Sequence, residues 1–585
     1  MSWICDDDTL ALIRLYSLQN SLEYDGQGKP GSVMGRIMAE RPDLRQYGSE
    51  ISKIINGEVQ KANEFALSEG LEKVREILEE EAPHLLEKRK TERKEGLPDL
   101  DCASEANVVL RFAPNPNGPL SYGHGRGVVI NSEYAKKYNG ELILRFDDTD
   151  TSKKPPLLEA YSQICDEVEW LSGFPPHRVI YASDRVEEYY GFAHKMLASG
   201  DAYVCRCSAE EFKIYREEKQ ECPCRQNPFE ENLELWNQMK LQDSIPGSAV
   251  VRVKTDMTLK NPALRDWPAF RIQDTTKHPH PRPEIGSKYR VWPLLDFQSA
   301  IEDHLQGVTH IIRGKDLMDS TRKQTLLYEK LGWEYPETLY WGRVKIHEFG
   351  GFSTSQMRAD IDEGHYTGWD DPRLPTLGAL RRRGYDPSAI RKFWIDLGLT
   401  QKDIAVPMST LNSLNAKAVD PDAPRLSFVR DPHTVILDTN SETPDKITLP
   451  VHPENPEKGV REWHLENGVI KVKIAGDDWI KHWPKRLKDF ADIGIKNEKT
   501  EREWEGEIIR YERLDETPIV HWLPENMAQP AVLLLEENGG LVTANGLLEV
   551  NDYPDGTVVQ LERMGFAILE GFTDDGSRRL VQLHG

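Results

Sequence analysis

Cysteine is scarce, with seven residues among 585. That is too few for a disulfide-built scaffold of this size and fits a reducing compartment. Positive charge is also in deficit: 74 Lys and Arg face 97 Asp and Glu, a net charge of −23. Whole-chain acidity governs solubility and long-range steering rather than a local groove, so a basic stripe for a nucleic acid is not excluded. No uninterrupted apolar run approaches the roughly 18 residues of a membrane helix. The start, Met1 to Asp8, has neither a basic region nor a hydrophobic one, so no secretory signal is expected and the chain reads as cytoplasmic. There is no internal repeat and no low-complexity tract. What is present is 38% hydrophobic and 29% charged residues, enough for several packed cores. At roughly 100–200 residues per domain, the length predicts three to five domains.

Residues 1 to about 95 read as helical. Leu10, Ile13 and Leu18 form one amphipathic stripe, and Val59, Ala62, Ala66, Val74, Ile77 and Leu78 form later ones. A basic run, Lys88 to Lys94, ends at Gly96 and Pro98; it is either a solvated linker or a phosphate contact to RNA. The pattern then changes to α/β. Val108–Phe112 and Leu142–Phe146 read as strands separated by a Gly/Pro-rich loop and a helix, the opening of a parallel sheet. Residues 201 to about 290 read as an insertion, after which His310–Arg313 resumes the α/β pattern. An arginine-rich helical stretch spans about 373–403. From about 425 the chain reads as short strands, among them Thr434–Leu437, Val469–Ile474, Val532–Leu535 and Thr557–Leu561, in a sandwich or barrel pattern.

Both polar clusters of the early sheet fall at the C-terminal ends of strands, where α/β sheets carry ligands. The first runs Arg111-Phe-Ala-Pro-Asn-Pro-Asn-Gly-Pro-Leu-Ser-Tyr-Gly-His-Gly-Arg-Gly127. It is neither GxxxxGK[ST] nor GxGxxG. Its prolines stiffen the loop, its glycines admit close backbone approach, and His124 lies at the start of the next helix, where backbone N–H groups and the helix dipole favour a phosphate.

The spacing Arg-Phe-Ala-Pro-x-Pro-x-Gly-x-Leu-x-x-Gly-His resembles the first signature of class I aminoacyl-tRNA synthetases, in its glutamyl and glutaminyl form. The family's His-Ile-Gly-His falls on Ser121-Tyr122-Gly123-His124, with the second half intact and Ser121 in place of the first histidine. Asp147, in Leu144-Arg-Phe-Asp-Asp-Thr-Asp150, is similar to the acidic residue that holds the substrate α-ammonium. Arg313, in Asp303–Asp316, stands where glutamyl enzymes carry an arginine and glutaminyl relatives do not; a guanidinium is the natural partner of a second carboxylate. Leu295 stands where bacterial glutamyl enzymes place a tyrosine. Gly350 to Arg358 occupies the site of the Lys-Met-Ser-Lys-Ser loop, but Gly351 and Thr354 replace both lysines, leaving Arg358 or Lys345 to supply that charge. Trp369 to Gly384 is similar to the corresponding segment of archaeal and eukaryotic enzymes. Asn415–Pro421 and Arg486–Phe490 look like landmarks of their β-barrel anticodon domain.

The resemblance therefore implies an archaeal-type glutamyl-tRNA synthetase: a multidomain α/β chain. It comprises a helical N-terminal domain (1–97), a Rossmann-type parallel-sheet catalytic domain in two halves (98–200 and 293–350), an inserted acceptor-stem domain (201–292), a signature-loop and stem-contact region (351–420) and a β-barrel anticodon domain (421–585). It implies ATP and Mg²⁺, L-glutamate and tRNA(Glu) as substrates and partners, with charging of tRNA(Gln) left open, and a monomer. Expected catalytic residues are His124, Ser121 and Arg358. Expected ATP contacts are Pro116, Gly118, Gly123, His124, Gly125, Ser353, Thr354 and Ser355; expected glutamate contacts are Arg111, Ala113, Asn115, Asp147 and Arg313; expected tRNA contacts are Arg381, Arg382 and Arg383. A glutaminyl enzyme and a non-catalytic tRNA-binding paralogue are the alternatives; Arg313 speaks against the first and the paired Asp147 and Arg313 against a plain RNA-binding module.

Cys205-x-Cys207 and Cys222-x-Cys224 are two close thiol pairs separated by fourteen residues. Brought together by a turn, they suit a tetrahedral Zn²⁺ whose closed thiolate shell is structural; an iron–sulfur centre or free thiols are the alternatives. Cys5, Cys102 and Cys165 read as packing residues.

Overall fold

The computed structural model describes residues 5–86, 96–101, 108–348, 353–479, 483–513, 516–537 and 540–584. The basic run at 88–94, Cys102 and Gly350 to Phe352 lie outside the described residues. The chain divides into two compact units, Met1–Lys94 and Glu95–Gly585.

The first unit contains helices α1 (Asp7–Glu23), α2 (Pro30–Glu40), α3 (Gly48–Glu69) and α4 (Leu71–Glu81). Asp6 caps α1 by accepting from the Thr9 N–H at 2.7 Å. Ile13, Leu18, Val59, Ala62, Ala66, Val74 and Leu78 are buried, whereas Leu10, in the first turn of α1, is 40% exposed.

In the second unit, β1 (Val109–Phe112), α5 (Tyr122–Lys137), β2 (Glu141–Phe146), α6 (Leu158–Ser172) and β3 (Arg178–Tyr181) form a parallel sheet in the order β1-β2-β3. After α7 (Val186–Ala198), the chain makes an antiparallel four-stranded sheet of β4 (Ala202–Cys205), β5 (Val250–Val253), β6 (Pro268–Ile272) and β7 (Val291–Pro293), with α8 (Ala209–Glu218) and α9 (Phe229–Met239) inserted between β4 and β5. The chain then returns through α10 (Leu295–Leu305) to β8 (His310–Gly314), α11 (Met318–Leu331) and β9 (Glu337–Trp341), with β8 and β9 parallel. Thr309 donates its N–H to the Val109 carbonyl at 3.0 Å, and its Oγ1 accepts from the Val109 N–H at 2.9 Å. These bonds lay β8 beside β1. The sheets β1-β2-β3 and β8-β9 thus meet side by side in the order 3-2-1 then 8-9, as the two halves of a Rossmann fold do, and the crevice beyond β1 and β8 is the topological switch point.

Beyond β9 come β10 (Val344–Ile346), α12 (Thr354–Asp362), α13 (Leu377–Arg383), α14 (Pro387–Leu397), β11 (Ile404–Val406) and α15 (Met408–Val419). The arginine-rich helical stretch expected over about 373–403 consists of two helices, α13 and α14. Gly384 ends α13 with φ +95°, and Pro387 starts α14 at its first turn, where the missing N–H is harmless. The remainder contains a two-stranded hairpin that pairs Lys446–Pro450 with Val460–His464 and two seven-stranded, barrel-like sheets. One runs from Arg425–Leu426 through to Arg578–His584; the other includes Lys485–Leu487, Asp492–Thr500 and His433–Asp438.

The arginines of α13 fasten this β region to the catalytic core. Arg382 Nε meets Glu570 at 2.5 Å, and Arg383 donates to the Leu583 carbonyl at 2.5 Å. Asn415 adds a third link, accepting from the Asp386 N–H at 2.8 Å and approaching the His584 ring at 3.2 Å. Arg381 is exposed, 5.8 Å from the Trp170 ring. Of the three arginines expected to meet tRNA, two are therefore engaged within the fold and Arg381 is left facing solvent.

Candidate active site

The loop after β1 is held at its start and its end. Asp147 donates its N–H to the Pro114 carbonyl at 3.0 Å and Leu157 to that of Pro116 at 2.8 Å. At the end, Tyr122 donates to Pro375 at 2.7 Å and Leu377 to Leu120 at 2.8 Å, so the segment before α13 pairs antiparallel with the loop. Gly118 lies against the second signature: a Cβ there would stand 2.7 Å from Thr354 Cγ2 and 3.1 Å from Trp369. A Cβ on Gly125 would stand 3.3 Å from Leu171 and 3.4 Å from Leu377 and Trp394. Folding thus brings the first signature, the start of α12 and the Trp369 segment into one place.

Ser121 caps α5. Its Oγ accepts from the His124 N–H at 3.3 Å, and His124 Nδ1 accepts in return from the Ser121 N–H at 3.2 Å. An accepting Nδ1 carries no proton, which places the neutral ring's hydrogen on Nε2, free to donate outward. Surrounding protein and the nearby charge of Lys154 hold the imidazolium below its ordinary range, although the residue keeps an exposed edge. Lys154, unremarked in the sequence, sits on the loop whose carbonyl receives Asn115 Nδ2 at 3.4 Å; Asn115 Oδ1 is buried without a partner among the described residues. Ser353 caps α12 by accepting from the Gln356 N–H at 3.2 Å, and Ser355 is exposed. Arg358 is half-buried on α12 with no ion pair among the described residues; Lys345 is exposed.

Beside Gly123 is a cavity of about 80 Å³ lined by Arg126, Trp341, Gly342, Arg343, Val344 and Trp394. Arg126 is buried with its guanidinium on the Gly342 and Gly398 carbonyls, at 2.8 and 2.5 Å. Burial without a carboxylate lowers its pKa to about 10.

The other end of the crevice holds a buried charge cluster. Asp303 on α10 accepts from Arg111 Nε at 3.1 Å and from Arg145 Nη1 at 2.6 Å. Arg145 Nε reaches Asp147 Oδ1 at 2.8 Å, and Gln298 donates to the same oxygen at 2.9 Å. Asp147 Oδ2 has only Arg145 Nη2, at 3.5 Å, so it keeps capacity for another donor. Burial pushes the Asp147 carboxyl up despite Arg145. Burial acts on Asp303 in the same sense, but Arg111 and Arg145 overcome it and the net shift is downward.

Arg313, at the end of β8, is placed differently. It is 5% exposed, its Nε is buried without a hydrogen-bond partner, and it makes no ion pair among the described residues. Its Nη2 donates to Thr321 Oγ1, Gln324 Oε1 and Tyr335 OH, at 2.6, 2.9 and 2.7 Å. Burial lowers its pKa, yet an arginine remains charged at neutral pH. Ala113 is half-buried between the two ends of the site, and Leu295 is 46% exposed.

Two further features lie outside this crevice. The four thiols of Cys205, Cys207, Cys222 and Cys224 converge within 4.8 Å of one another. Their closest pairs are 3.9 Å apart; bonds of about 2.3 Å in a tetrahedron require roughly 3.8 Å between sulfurs. Tyr203 OH donates to Asp266 at 3.0 Å and lies 3.4 Å from Cys222 Sγ, and the Arg206 N–H points at Cys224 Sγ at 3.5 Å, so one sulfur already has a backbone donor. Secondly, the β region has a cleft of about 520 Å³ lined by Arg425, Arg486, Lys488, Arg513, Arg563 and Gln560, with Asp489 and Glu562 the opposing carboxylates. Sequence reading missed this cleft because its arginines are scattered over 140 residues and come together only through strand order.

Family models give the context. "tRNA synthetases class I (E and Q), catalytic domain" matches residues 107–421, and "tRNA synthetases class I (E and Q), anti-codon binding domain" matches 423–513. The chain is 43% identical over 568 residues to the glutamate–tRNA ligase of Archaeoglobus fulgidus, covering 96% of this chain and 98% of that one. It is 43% identical over 577 residues to that of Methanosarcina barkeri, covering 97% and 98%. It is 41% identical over 566 residues to that of Pyrococcus furiosus, covering 96% and 97%. Among the described residues no helix is long and apolar enough to cross a membrane.

Glu167 on α6 braces the site. Its buried carboxyl accepts from the Leu120 N–H at 2.7 Å and from Gly378 at the start of α13, and burial pushes its pKa up to about 8. The fold favours the protonated form, so between about pH 4.5 and 8 the unfolded chain binds fewer protons than the folded one, and stability falls as pH rises through that window. Glu167→Gln abolishes this titration. The stability of wild type relative to the variant, followed by urea unfolding, should decline across the window by at most roughly 1.4 kcal/mol per pH unit. A difference independent of pH would contradict the assignment.

Proposed function

The chain belongs to the class I (E and Q) tRNA synthetases, and from that membership we infer that it is a glutamate–tRNA ligase. The observation that carries the amino-acid assignment is the buried, uncompensated Arg313 beside two arginines that already have carboxylates. A substrate side-chain carboxylate supplies its missing counter-charge, through charge-assisted hydrogen bonds to Nη1, the nitrogen its cradle leaves free. Glutamine offers no charge there, and leaving the guanidinium unpaired in a buried site is costly. The α-ammonium is assigned to Asp147 Oδ2, and Arg111 Nη1, unused by Asp303, faces the same space.

In the first step an α-carboxylate oxygen attacks the α-phosphorus of ATP, the bond to the β-phosphate breaks, and pyrophosphate leaves. In the second, a hydroxyl of the terminal ribose of tRNA attacks the acyl carbon and AMP departs. No covalent enzyme intermediate is needed; the protein contributes position and charge. His124 Nε2–H donates to phosphate oxygen, with the N–H groups at the start of α5 beside it. The adenine-nucleoside end is assigned to the cavity beside Gly123, between Trp341 and Val344. Mg²⁺ arriving with the triphosphate neutralises part of its charge. Without the signature lysines, the remaining cations are Arg358 and Lys154. Ser121 acts first as the cap that fixes the His124 tautomer.

The thiol cluster is assigned a structural Zn²⁺, which its spacing and closed shell fit; it holds β4 and the turn before α9 together. The basic cleft of the β region is assigned to anticodon nucleotides of tRNA(Glu), and Arg381 to the phosphate backbone. A place in translation puts the protein in the cytoplasm.

Arg313→Ala should raise the glutamate KM by about 10²–10³, the scale of a lost buried charge pair, with the ATP KM near wild type, in pyrophosphate exchange with tRNA present. An unchanged glutamate KM would overturn the assignment. Elemental analysis should find one zinc per chain, and Cys222→Ser should lose it together with thermal stability; a metal-free preparation of full stability would remove zinc from the account.

A further inference from the structure

The cradle of Arg313 differs in kind from those of its neighbours. Arg111 and Arg145 are each held by carboxylates, from Asp303 and Asp147. Arg313 is held on one nitrogen only, by a threonine hydroxyl, a carboxamide oxygen and a phenol. The cradle's own hydrogens are directed away from the guanidinium. Tyr335 OH donates to Gln324 Oε1 at 2.6 Å, and Tyr340 OH donates to Thr321 Oγ1 at 2.6 Å. With their protons so placed, the Tyr335 oxygen and Gln324 Oε1 present only lone pairs to Arg313. Thr321 and Gln324 are one turn apart on α11, a rigid mount rather than a loop. Burial pushes the Tyr335 phenol up to about 12, so it stays uncharged at neutral pH.

We propose that Thr321, Gln324 and Tyr335 are positioning residues that set the enzyme's preference for an anionic side chain, by fixing the Arg313 guanidinium without neutralising it. The proposal rests on the reading of Arg313 as the partner of the substrate's side-chain carboxylate. Three acceptors sharing the two hydrogens of Nη2 fix the plane of the group and leave Nη1 for the substrate. Because every acceptor is neutral, the full positive charge stays available to that substrate. One carboxylate in the cradle would satisfy Arg313 internally, as Asp303 satisfies Arg111, and would remove the advantage of glutamate over glutamine. Gln324 is the sharpest place to ask, since it is 1% exposed and Gln→Glu changes charge with almost no change in volume.

The test uses the full-length protein in pyrophosphate exchange with tRNA present, with Gln324→Glu, Gln324→Leu and Arg313→Ala side by side. Gln324→Glu should raise the glutamate KM by roughly 10²-fold, the scale of an interaction lost from a buried charge pair. Its ATP KM should stay within about twofold of wild type, its glutamate-to-glutamine preference should fall, and its melting temperature should match or exceed wild type, because the new carboxylate lies in bonding distance of a buried cation. Gln324→Leu, which removes the acceptor shared by Arg313 and Tyr335 and adds no charge, should cost only several-fold in the glutamate KM, because two neutral acceptors remain on Nη2. If Gln324→Glu and Gln324→Leu raise the glutamate KM equally, charge plays no part and the proposal fails. If Arg313→Ala raises the glutamate KM while Gln324→Glu leaves it unchanged, the cradle proposal falls and the reading of Arg313 stands. If Arg313→Ala itself leaves it unchanged, both fall. Should Gln324→Glu not fold, Thr321→Asp places the same charge on Nη2 from the other side and is judged by the same outcomes.

Discussion

The carboxylate of Asp303 is the point on which the catalytic domain turns. It lies on α10, after the inserted sheet, and accepts from Arg111 on β1 and Arg145 on β2. Two strand ends from the first half of the domain are thereby fastened to the start of the second half across an excursion of about 90 residues. Taking three charges out of water is expensive, and only close pairing with every lone pair occupied offsets that cost. The arrangement comes close to this condition: Ser299 Oγ and Asp147 take the remaining Arg145 donors and Gln298 donates to Asp147 Oδ1, which leaves Asp147 Oδ2 as the open acceptor. The consequence reaches function. With Arg111 and Arg145 neutralised by the fold, Arg313 is the buried cation of this cluster left for a ligand.

The two ends of the crevice solve opposite problems. At the amino-acid end, charge is buried and rigid, and selectivity follows from which guanidinium lacks a partner. At the phosphate end, charge is sparse. The capping box makes His124 a neutral donor with its hydrogen directed outward, Arg126 beside Gly123 is held on backbone carbonyls, and Lys154 and Arg358 lie on exposed or half-buried positions. A site of this kind meets the triphosphate with oriented dipoles and mobile cations in place of the two signature lysines.

Much of this was legible in the sequence, and the division between what was and was not is physical. Local order was readable wherever period and punctuation agree. The strands around Leu110, Leu144 and Ile311, the Ser121 start of α5 and the β character of the chain after 425 all follow from alternation, capping residues and turns. The spacing of four cysteines announced a converging cluster before any fold was known. Contacts between distant segments were not readable. Nothing local tells that Arg382 and Arg383 turn inward to Glu570 and Leu583 while Arg381 faces water. Nor does any motif reveal that Glu167 braces Leu120, or that Thr321, Gln324 and Tyr335 surround Arg313. Each of these depends on the packing of β1 against β8 and of α13 against the β region, which periodicity cannot supply.

The central claim is that charge pairing within the fold leaves Arg313 for the substrate. The most direct measurement is a crystal structure of the protein with a non-hydrolysable glutamyl-adenylate analogue. The account predicts the side-chain carboxylate within hydrogen-bond distance of Arg313 Nη1, the α-ammonium on Asp147 Oδ2, and Arg111 and Arg145 still on Asp303. A side-chain carboxylate bound instead by Arg111 released from Asp303, with Arg313 untouched, would contradict it.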